Sequence, residues 1–174
     1  VQREGPAPAV KVLHHFLICV AKKRIWIQNP YFLPEPAAID ALGDAVKRGV
    51  DVRVLMPSTS GSDNPMVQHA GHRNFEKLLR CGVRLIEYPD ALLHQKIMTI
   101  DGLWCAIGTA NFDDRSFETN DEITVAFLDV ATARRFDDIF ERYAADGTEI
   151  ELGRWTGRSP LHKFVDQVYY LFNE

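Results

Sequence analysis

The sequence lacks a long hydrophobic run and an excess of basic residues. No apolar run approaches the roughly 18 residues that a membrane-spanning helix requires, and no signal peptide is visible. The chain carries 20 lysine and arginine residues against 24 aspartate and glutamate residues, a formal net charge of -4. This balance gives no general basic surface for nucleic acid or an anionic membrane, so any anion binding must be local.

Cysteine is also scarce. The three cysteines, Cys19, Cys81 and Cys105, are odd in number and lie within or beside apolar runs. They lack the paired spacing of a metal site, and we interpret them as buried thiols of a protein in a reducing compartment.

The rest of the composition is that of an ordinary globular protein. The 174 residues are 46% hydrophobic and 25% charged, which is enough for one domain with a substantial core. The first residue is Val1 rather than methionine. We therefore expect the chain to be a sequenced or expressed fragment of a longer protein.

Hydrophobic periodicity predicts helices that alternate with strands. Helices are predicted at 9–22, 36–47, 65–79, 130–145 and 160–172. Strands are predicted at 25–28, 50–56, 83–88, 95–100, 103–107 and 122–128. Alternating elements followed by a hairpin indicate an α/β sandwich, a mixed β-sheet flanked by helices on both faces.

Composition divides the chain into three parts. Residues 1–8, with one glycine and two prolines, are predicted to be a linker, and residues 9–146 form the predicted domain. Residues 147–174 are a C-terminal tail, which is broken by three glycines at 147–159 and then helical. The predicted apolar face of that last helix comprises Leu161, Phe164, Val165, Val168 and Leu171.

Two short motifs hold the residues best suited to chemistry. His94 and Lys96 are two residues apart at the start of a predicted strand, so their side chains point to the same face. Asp101-Gly102 lies between two apolar runs, which predicts a tight hairpin. This hairpin would fold the second motif, G-T-x-N at 108–111, back beside His94 and Lys96.

Such a cluster can support phosphoryl transfer without a metal ion. Histidine has an unperturbed pKa near neutral pH, so His94 can act as a nucleophile or a proton carrier. Lys96, the Thr109 hydroxyl and the Asn111 amide can donate hydrogen bonds to an anion. The Glu122 carboxylate can hold the far ring nitrogen of the histidine. Together they would place a nucleophile beside donors where charge accumulates.

This pattern resembles the signature of the phospholipase D superfamily, the HKD motif H-x-K-x-x-x-x-D, here at 94–101. The G-T-x-N extension at 108–111 and the downstream Glu122 complete the signature. The longer segment GTANFDDRSFETNDE and the upstream N-P-Y-F at 29–32 are most similar to the C-terminal half of bacterial cardiolipin synthases. The similarity covers about residues 5–142, so 9–146 would be a phospholipase D-like catalytic domain.

The resemblance implies a role for each residue of the cluster. His94 would be either the nucleophile that forms a phosphohistidine intermediate or the general acid for the leaving alkoxide. Lys96 and Asn111 would bind the phosphate with help from Thr109, and Glu122 would orient the histidine. The resemblance implies neither a metal ion nor a cofactor.

Three further residues have two interpretations each. Asp101 belongs to the motif and is a candidate catalytic residue, but its position at a hairpin turn favours a structural role. Tyr31 lies in a loop that borders the active site in the family, where it would bind substrate or serve packing alone. Arg115 can reach a substrate phosphate or pair with Asp113 or Asp114.

Two other histidines fall on one face of the predicted third helix. His69 and His72 are three residues apart, a spacing that places their side chains next to each other. A metal-ligand pair would need a third partner, which the sequence does not show. We therefore favour surface positions for both.

The superfamily builds an active site from two motifs, and this chain carries one, since no other histidine has a lysine two residues later. The resemblance implies the C-terminal half of a phosphatidyltransferase at the cytoplasmic side of the cell membrane. Its substrate would be a phosphatidylglycerol-like phospholipid, and a second lobe would come from a missing half.

One alternative is a homodimeric phosphodiesterase, either a phospholipase D or a nuclease, although the net charge disfavours nucleic acid. A second alternative is that the chain is a non-catalytic binding or regulatory lobe.

Overall fold

One β-sheet runs through the described residues, 8–89 and 91–171, of the computed structural model. Its strands are β1 (Arg24–Gln28), β2 (Asp51–Pro57), β3 (Arg84–Tyr88), β4 (Ile97–Ile100), β5 (Trp104–Gly108), β6 (Thr124–Leu128) and β7 (Thr148–Glu149). The helices are α1 (Ala9–Val20), α2 (Pro36–Lys47), α3 (Pro65–Arg80), α4 (Val130–Asp146), α5 (Leu152–Thr156) and α6 (Pro160–Leu171), with a π-helical turn at Arg115–Thr119. The predicted linker, apart from Pro8, lies outside the described residues.

The sheet is mixed, with the strand order β6-β5-β4-β1-β2-β3-β7. β1, β2 and β3 are parallel and are joined by the helices α2 and α3. β4, β5, β6 and β7 each pair antiparallel with their neighbours. The parallel strands thus form one half of the sheet and the hairpin strands the other.

The apolar side chains of the central strands face two cores. Ile25 and Ile27 of β1 belong to the larger core, together with residues of α1, α2 and α3. Trp26, between them, belongs to the smaller core and stacks on Phe140 of α4, with ring centroids 5.0 Å apart. Because helices cover both faces, the central strands are apolar almost throughout. The predicted class, a mixed sheet flanked by helices on both faces, is confirmed.

Local signals in the sequence fix the helix ends. α2 has the predicted bounds and begins at Pro36, a residue suited to the first turn. α3 begins at Pro65, and the Asn64 side chain accepts a hydrogen bond from the Val67 N–H at 3.4 Å, which is the predicted cap. Gly82, just after α3, has a φ of 87°, a conformation that favours glycine.

The predicted tight turn joins β4 and β5. Its two central residues, Asp101 and Gly102, have φ values of 57° and 66°, which is typical of a type I′ turn. The Leu103 N–H donates to the Ile100 carbonyl at 2.9 Å and closes the turn. β4 begins at Ile97, two residues after the predicted start of this strand.

The tail departs from the prediction in two respects. β7 and α5 lie within the predicted break at 147–159, and β7 extends the sheet by pairing with β3. On α6, Phe164 is 65% exposed whereas Asp166 is 4% exposed. The predicted apolar face is therefore wrong at Phe164, because α6 turns Asp166 toward His69 and His72 of α3.

Two expectations from composition can be compared with the structure. Cys105 is buried and Cys81 is half-buried, but Cys19 is exposed. The interpretation of three buried thiols is wrong for Cys19, because its α1 neighbours Leu17 and Ile18 face the core instead. Among the described helices, none is both long enough and apolar enough to cross a membrane.

Candidate active site

His94 and Lys96 lie side by side immediately before β4. The Lys96 Nζ is 3.1 Å from Nδ1 and 3.3 Å from Nε2 of the His94 ring, and it donates to the His94 carbonyl at 3.1 Å. The Gly108 N–H, at the end of β5, donates to the Lys96 carbonyl at 3.1 Å and ties this backbone to the hairpin. His94 is exposed, so its ring is accessible to a substrate.

Lys96 is half-buried and lies among acidic groups. Burial lowers the pKa of Lys96 from its ordinary value, and the charges of Glu122, Asp63 and Asp113 oppose this shift without cancelling it. An ammonium group that has lost part of its hydration interacts more strongly with an anion than one in bulk water. Lys96 is therefore suited to binding a phosphate beside His94.

Thr109 connects the G-T-x-N segment to Glu122. The Thr109 hydroxyl donates to one Glu122 oxygen and accepts from the Ile123 N–H at 3.0 Å. The other Glu122 oxygen accepts from the Asn120 amide at 3.2 Å. Burial by itself raises the pKa of Glu122, but the hydrogen bonds from Thr109 and Asn120 outweigh it, so the pKa is lowered overall. The structure thus links this carboxylate to Thr109, whereas the resemblance assigns it to the histidine ring.

Gly108 allows β5 and β6 to approach closely beside the site. A Cβ at this position would collide with the Ile123 carbonyl and the Thr124 Cα. The glycine of the G-T-x-N motif is therefore required by the close contact between the two strands. That contact keeps Thr109 within reach of Glu122.

Asn111 is fixed through its backbone. Its N–H donates to the Ser116 hydroxyl at 3.0 Å, and the Ser116 N–H donates to the Asp113 carboxylate at 2.7 Å. The Asn111 Oδ1 is buried and has no hydrogen-bond partner among the described residues. Because an unpartnered buried polar atom is costly, this side chain is a candidate for contact with a substrate.

Tyr31 forms an aromatic wall beside the histidine. Its ring centroid is 6.3 Å from that of His94, and the two planes are nearly perpendicular at 87°. The Tyr31 hydroxyl donates to the Asp63 carboxylate at 2.5 Å. Burial and this carboxylate raise the pKa of Tyr31 to about 12, so the phenol stays protonated at neutral pH. Asp63 lies in the loop after β2, and sequence reasoning missed it.

Asn29 is a second residue that sequence reasoning missed. Its buried side-chain oxygen accepts from the Tyr31 N–H and the Phe112 N–H, both at 3.2 Å, and its amide donates to the Ala110 carbonyl at 3.4 Å. It thereby joins the N-P-Y-F loop to the G-T-x-N loop. A polar residue directly after the apolar strand β1 was the available signal.

Two predicted site residues lie at the margin of this cluster or outside it. Asp101 is at the far end of β4, where its carboxylate accepts from the backbone N–H groups of Lys22, Lys23 and Arg24 at 2.6–3.2 Å. Arg115 begins the π-helical turn. Burial raises the pKa of Asp113, and the charge of Arg115 opposes this shift without cancelling it. Of the predicted residues, Lys96 and Tyr31 contact His94 directly, Glu122 acts on Lys96 through its charge, and Thr109 binds Glu122.

Comparison with known proteins places the chain in a family. The family model described as "Cardiolipin synthase, PLD-like domain" matches residues 16–144. The chain belongs to this phospholipase D-like family. Cardiolipin synthase 2 of Bacillus anthracis is 35% identical over 164 residues, which are 94% of this chain and 32% of the relative. The probable cardiolipin synthase YwiE of Bacillus subtilis is 40% identical over 129 residues, 74% of this chain and 25% of the relative.

Solved structures share the phospholipase D-like fold. Nuc from Salmonella typhimurium, a phospholipase D family member, matches with a TM-score of 0.72 and 21% identity, over 83% of this chain and 92% of that one. Phosphatidylserine synthase from Haemophilus influenzae matches with a TM-score of 0.72 and 14% identity, over 97% of this chain and 43% of that one. The chain spans about a third of the length of the cardiolipin synthases that it resembles in sequence.

Proposed function

We propose that this chain is the C-terminal catalytic lobe of a phosphatidyltransferase of the cardiolipin synthase type. The observation that carries the proposal is the His94–Lys96 pair, 3.1 Å apart, in a chain 35% identical to a cardiolipin synthase. Beside the pair are the Thr109–Glu122 hydrogen bond and the partly buried Asn111. A reactive imidazole with donors around it is what transfer through a histidine requires.

The proposed reaction has two steps with one histidine from each of two motifs. In the first, a ring nitrogen of one histidine attacks the phosphorus of a phosphatidylglycerol-like lipid, the P–N bond forms and the P–O bond to glycerol breaks. The departing alkoxide takes a proton from the other histidine. In the second step that histidine removes the proton from the hydroxyl of another lipid, whose oxygen attacks phosphorus as the P–N bond breaks. His94 fills one of these two roles.

The neighbouring residues stabilise charge in both steps. Lys96 binds the phosphate oxygens as a cation, and the side-chain N–H of Asn111 donates a hydrogen bond to them. Thr109, held between Glu122 and Ile123, positions the loop, while Tyr31 limits the approach of water to His94 from one side. Asp101 supports the hairpin instead of the phosphate, because its carboxylate is bound to three backbone N–H groups.

The proposal includes a second lobe that brings the other histidine. Two observations support it: the sequence has one HKD motif, and the curated relatives are about three times as long as the chain. A third observation is the exposed apolar edge next to the site. Val125, on the outermost strand β6, is 55% exposed, and Ile123, just before that strand, is 71% exposed. Exposed apolar patches of this kind mark contact surfaces. Since the substrates are lipids, we place the reaction at the cytoplasmic side of the cell membrane, as the resemblance implies.

The test combines association with turnover. The mass of the chain in solution is measured by light scattering across a range of concentrations, and the same samples receive fluorescent phosphatidylglycerol. Cardiolipin as the product indicates transfer, and phosphatidic acid indicates hydrolysis. We expect a monomer to be inactive and turnover to require a partner that carries a second motif. Turnover by a monomer would contradict the proposal, and hydrolysis by a stable homodimer would favour a phosphodiesterase instead.

A further inference from the structure

Three side chains with metal-binding atoms converge away from His94, at the contact between α3 and α6. His69 and His72 lie one turn apart on α3, and Asp166 lies on α6. The Nδ1 atoms of the two imidazoles are 2.8 Å and 3.2 Å from the same oxygen, Oδ1 of Asp166. Asp166 thus supplies the third partner that the sequence did not show. The surface position predicted for His72 is wrong, because its contacts with α5 and α6 bury this side chain.

The geometry of the cluster matches a site for a small divalent cation. One potential ligand atom from each residue lies within 4.8 Å of the other two. The side chains of His72 and Asp166 are 7% and 6% exposed, while that of His69 is 26% exposed, so the site is enclosed with one accessible side. Beside it is a cavity of about 180 Å³ with room for a metal-bound water, lined by His72, Glu76, Trp155 and Asp166 and by two arginines, Arg73 and Arg158.

Asp166 and His72 are oriented by neighbouring side chains, as metal ligands are oriented by the residues that hydrogen-bond to them. Arg158 Nη1 donates to Oδ2 of Asp166 at 2.8 Å, so the carboxylate presents its other oxygen to the imidazoles. The Nε2 of His72 is buried without a hydrogen-bond partner among the described residues, and the Glu87 carboxylate faces it at 3.7 Å. A carboxylate behind the far nitrogen of a histidine is the usual outer partner of a metal ligand.

The aromatic neighbours hold the imidazole planes. His69 stacks on Tyr169 of α6, with centroids 5.2 Å apart and planes 20° apart. The His72 ring packs edge-on against Trp155 at 5.0 Å. Both ligand rings therefore have a fixed direction before any ion binds, which lowers the ordering cost of binding.

We propose that His69 Nδ1, His72 Nδ1 and Asp166 Oδ1 bind a zinc ion that fastens α6 to α3. Two imidazole nitrogens with one carboxylate oxygen are a ligand set that Zn²⁺ accepts in a four-coordinate site, with water in the fourth position. Asp166 lies beyond residue 144, where the family model ends, so the ion would secure the end of the chain to the family domain. This site is separate from His94 and does not depend on the proposed function.

The competing explanation is a simple ion-pair network in which Asp166 is balanced by Arg158 and the imidazoles. The two explanations differ in what they predict for added metal. A network gains nothing from Zn²⁺, because the ion would have to displace hydrogen bonds that already satisfy the carboxylate. A metal site binds one ion and gains stability from it, since a ligand specific to the folded state stabilises that state.

The experiment uses the 174-residue chain, freed of any affinity tag and treated with EDTA. Zn²⁺ is titrated in by calorimetry, and Tm is measured with and without one equivalent of the ion. Co²⁺ replaces Zn²⁺ for a visible d–d spectrum, which reports four-coordination directly. The variants are Asp166→Asn, which keeps the shape of the ligand, and Glu87→Gln, which alters the outer partner. The control is His162→Ala, which removes an exposed histidine from the same helix.

We expect one equivalent of Zn²⁺ per chain, a higher Tm with the ion, and the same behaviour in His162→Ala. Asp166→Asn should weaken Zn²⁺ binding by more than about 100-fold and Glu87→Gln by about 10-fold, since outer partners contribute about 10- to 100-fold. No saturable binding by the wild-type chain, or equal binding by Asp166→Asn, would overturn the proposal. If Asp166→Asn does not fold, the Co²⁺ spectrum of the wild-type chain decides: a four-coordinate spectrum supports the site and its absence refutes it.

Discussion

The Phe112 N–H donates a hydrogen bond to the side-chain oxygen of Asn29 at 3.2 Å, within the protein interior. These residues are 83 positions apart in the chain and join the G-T-x-N loop to the N-P-Y-F loop, whose Tyr31 ring contacts His94. The same oxygen accepts from the Tyr31 N–H, so one amide contacts both loops. The loops also pair directly, since the Phe112 N–H donates to the Tyr31 carbonyl at 3.2 Å. We conclude that the two loops of the candidate active site are fixed to each other before any substrate arrives.

Asn29→Ala tests this link. The substitution leaves the Tyr31 N–H without its acceptor, whereas the Phe112 N–H keeps the Tyr31 carbonyl at 3.2 Å. An unsatisfied donor costs about 1–3 kcal/mol. We expect the free energy of unfolding, measured in urea, to fall by about 1–3 kcal/mol. Asn74→Ala is the matched control, since it removes a single hydrogen bond, from Nδ2 to the Pro34 carbonyl at 3.1 Å. Equal stability of the two variants would show that Asn29 does not link the loops.

Asp101 should matter for stability and not for catalysis. Asp101→Ala removes the acceptor of three backbone N–H groups and leaves alanine at a positive φ, so we expect a loss of about 2–3 kcal/mol in the free energy of unfolding. Asp101→Asn keeps an acceptor and tolerates the left-handed conformation, so its loss should be smaller. A fully stable Asp101→Ala protein with lost turnover would instead assign this residue to catalysis.

Gly108 should not tolerate a methyl group. Gly108→Ala forces apart the backbones of β5 and β6, and overpacking of this kind costs about 1–3 kcal/mol. We expect a lower Tm together with weaker phosphodiester binding, because Thr109 moves with the strand. Gly153→Ala is the control, since nothing lies within 4 Å of the added Cβ. A Tm unchanged in both variants would refute the close contact.

We expect the difference in stability between the wild-type chain and Glu122→Gln to depend on pH. Its pKa in the folded protein lies below the ordinary value of 4.5, so its contribution is full above that value and is lost as pH falls through the lowered pKa. Glu122→Gln keeps the acceptor for Thr109 but loses the charge. The wild-type chain should therefore exceed this variant in stability at about pH 7, by less than about 1 kcal/mol for a half-exposed group, and the gap should narrow as pH falls below 4.5. Asp121→Asn controls for the loss of an exposed negative charge, and a gap that grows as pH falls would contradict the assignment.

The fold followed from the sequence because its signals are local. Periodicity, the Asn64 cap and the Asp101-Gly102 turn each depend on neighbouring residues, and all three were predicted and confirmed. β7 was missed because a two-residue strand has no periodicity. Phe164 was predicted on the wrong face because helical periodicity takes no account of tertiary contacts. The contacts of Asp166 with α3 turn that side chain inward and leave Phe164 exposed.

The candidate active site was only partly predictable for a related reason. His94 and Lys96 are close in the chain, and a hairpin of fixed geometry returns Thr109 and Asn111 to them. Asn29 and Asp63 approach from distant loops, and no spacing rule connects them to the motif. The Asp166 contact with the α3 histidines is likewise a tertiary pairing, across 97 and 94 residues.

The most direct test of the central claim is the cardiolipin content of a bacterial host that lacks cardiolipin synthases. The chain is expressed there within its whole reading frame, as wild type, as His94→Ala and as His15→Ala, which changes an exposed histidine on α1. We predict that wild type and His15→Ala restore cardiolipin, and that His94→Ala lowers the rate of synthesis by at least about 100-fold, since a catalytic proton carrier contributes about 10²–10⁴. Cardiolipin at the wild-type level in His94→Ala would contradict the account.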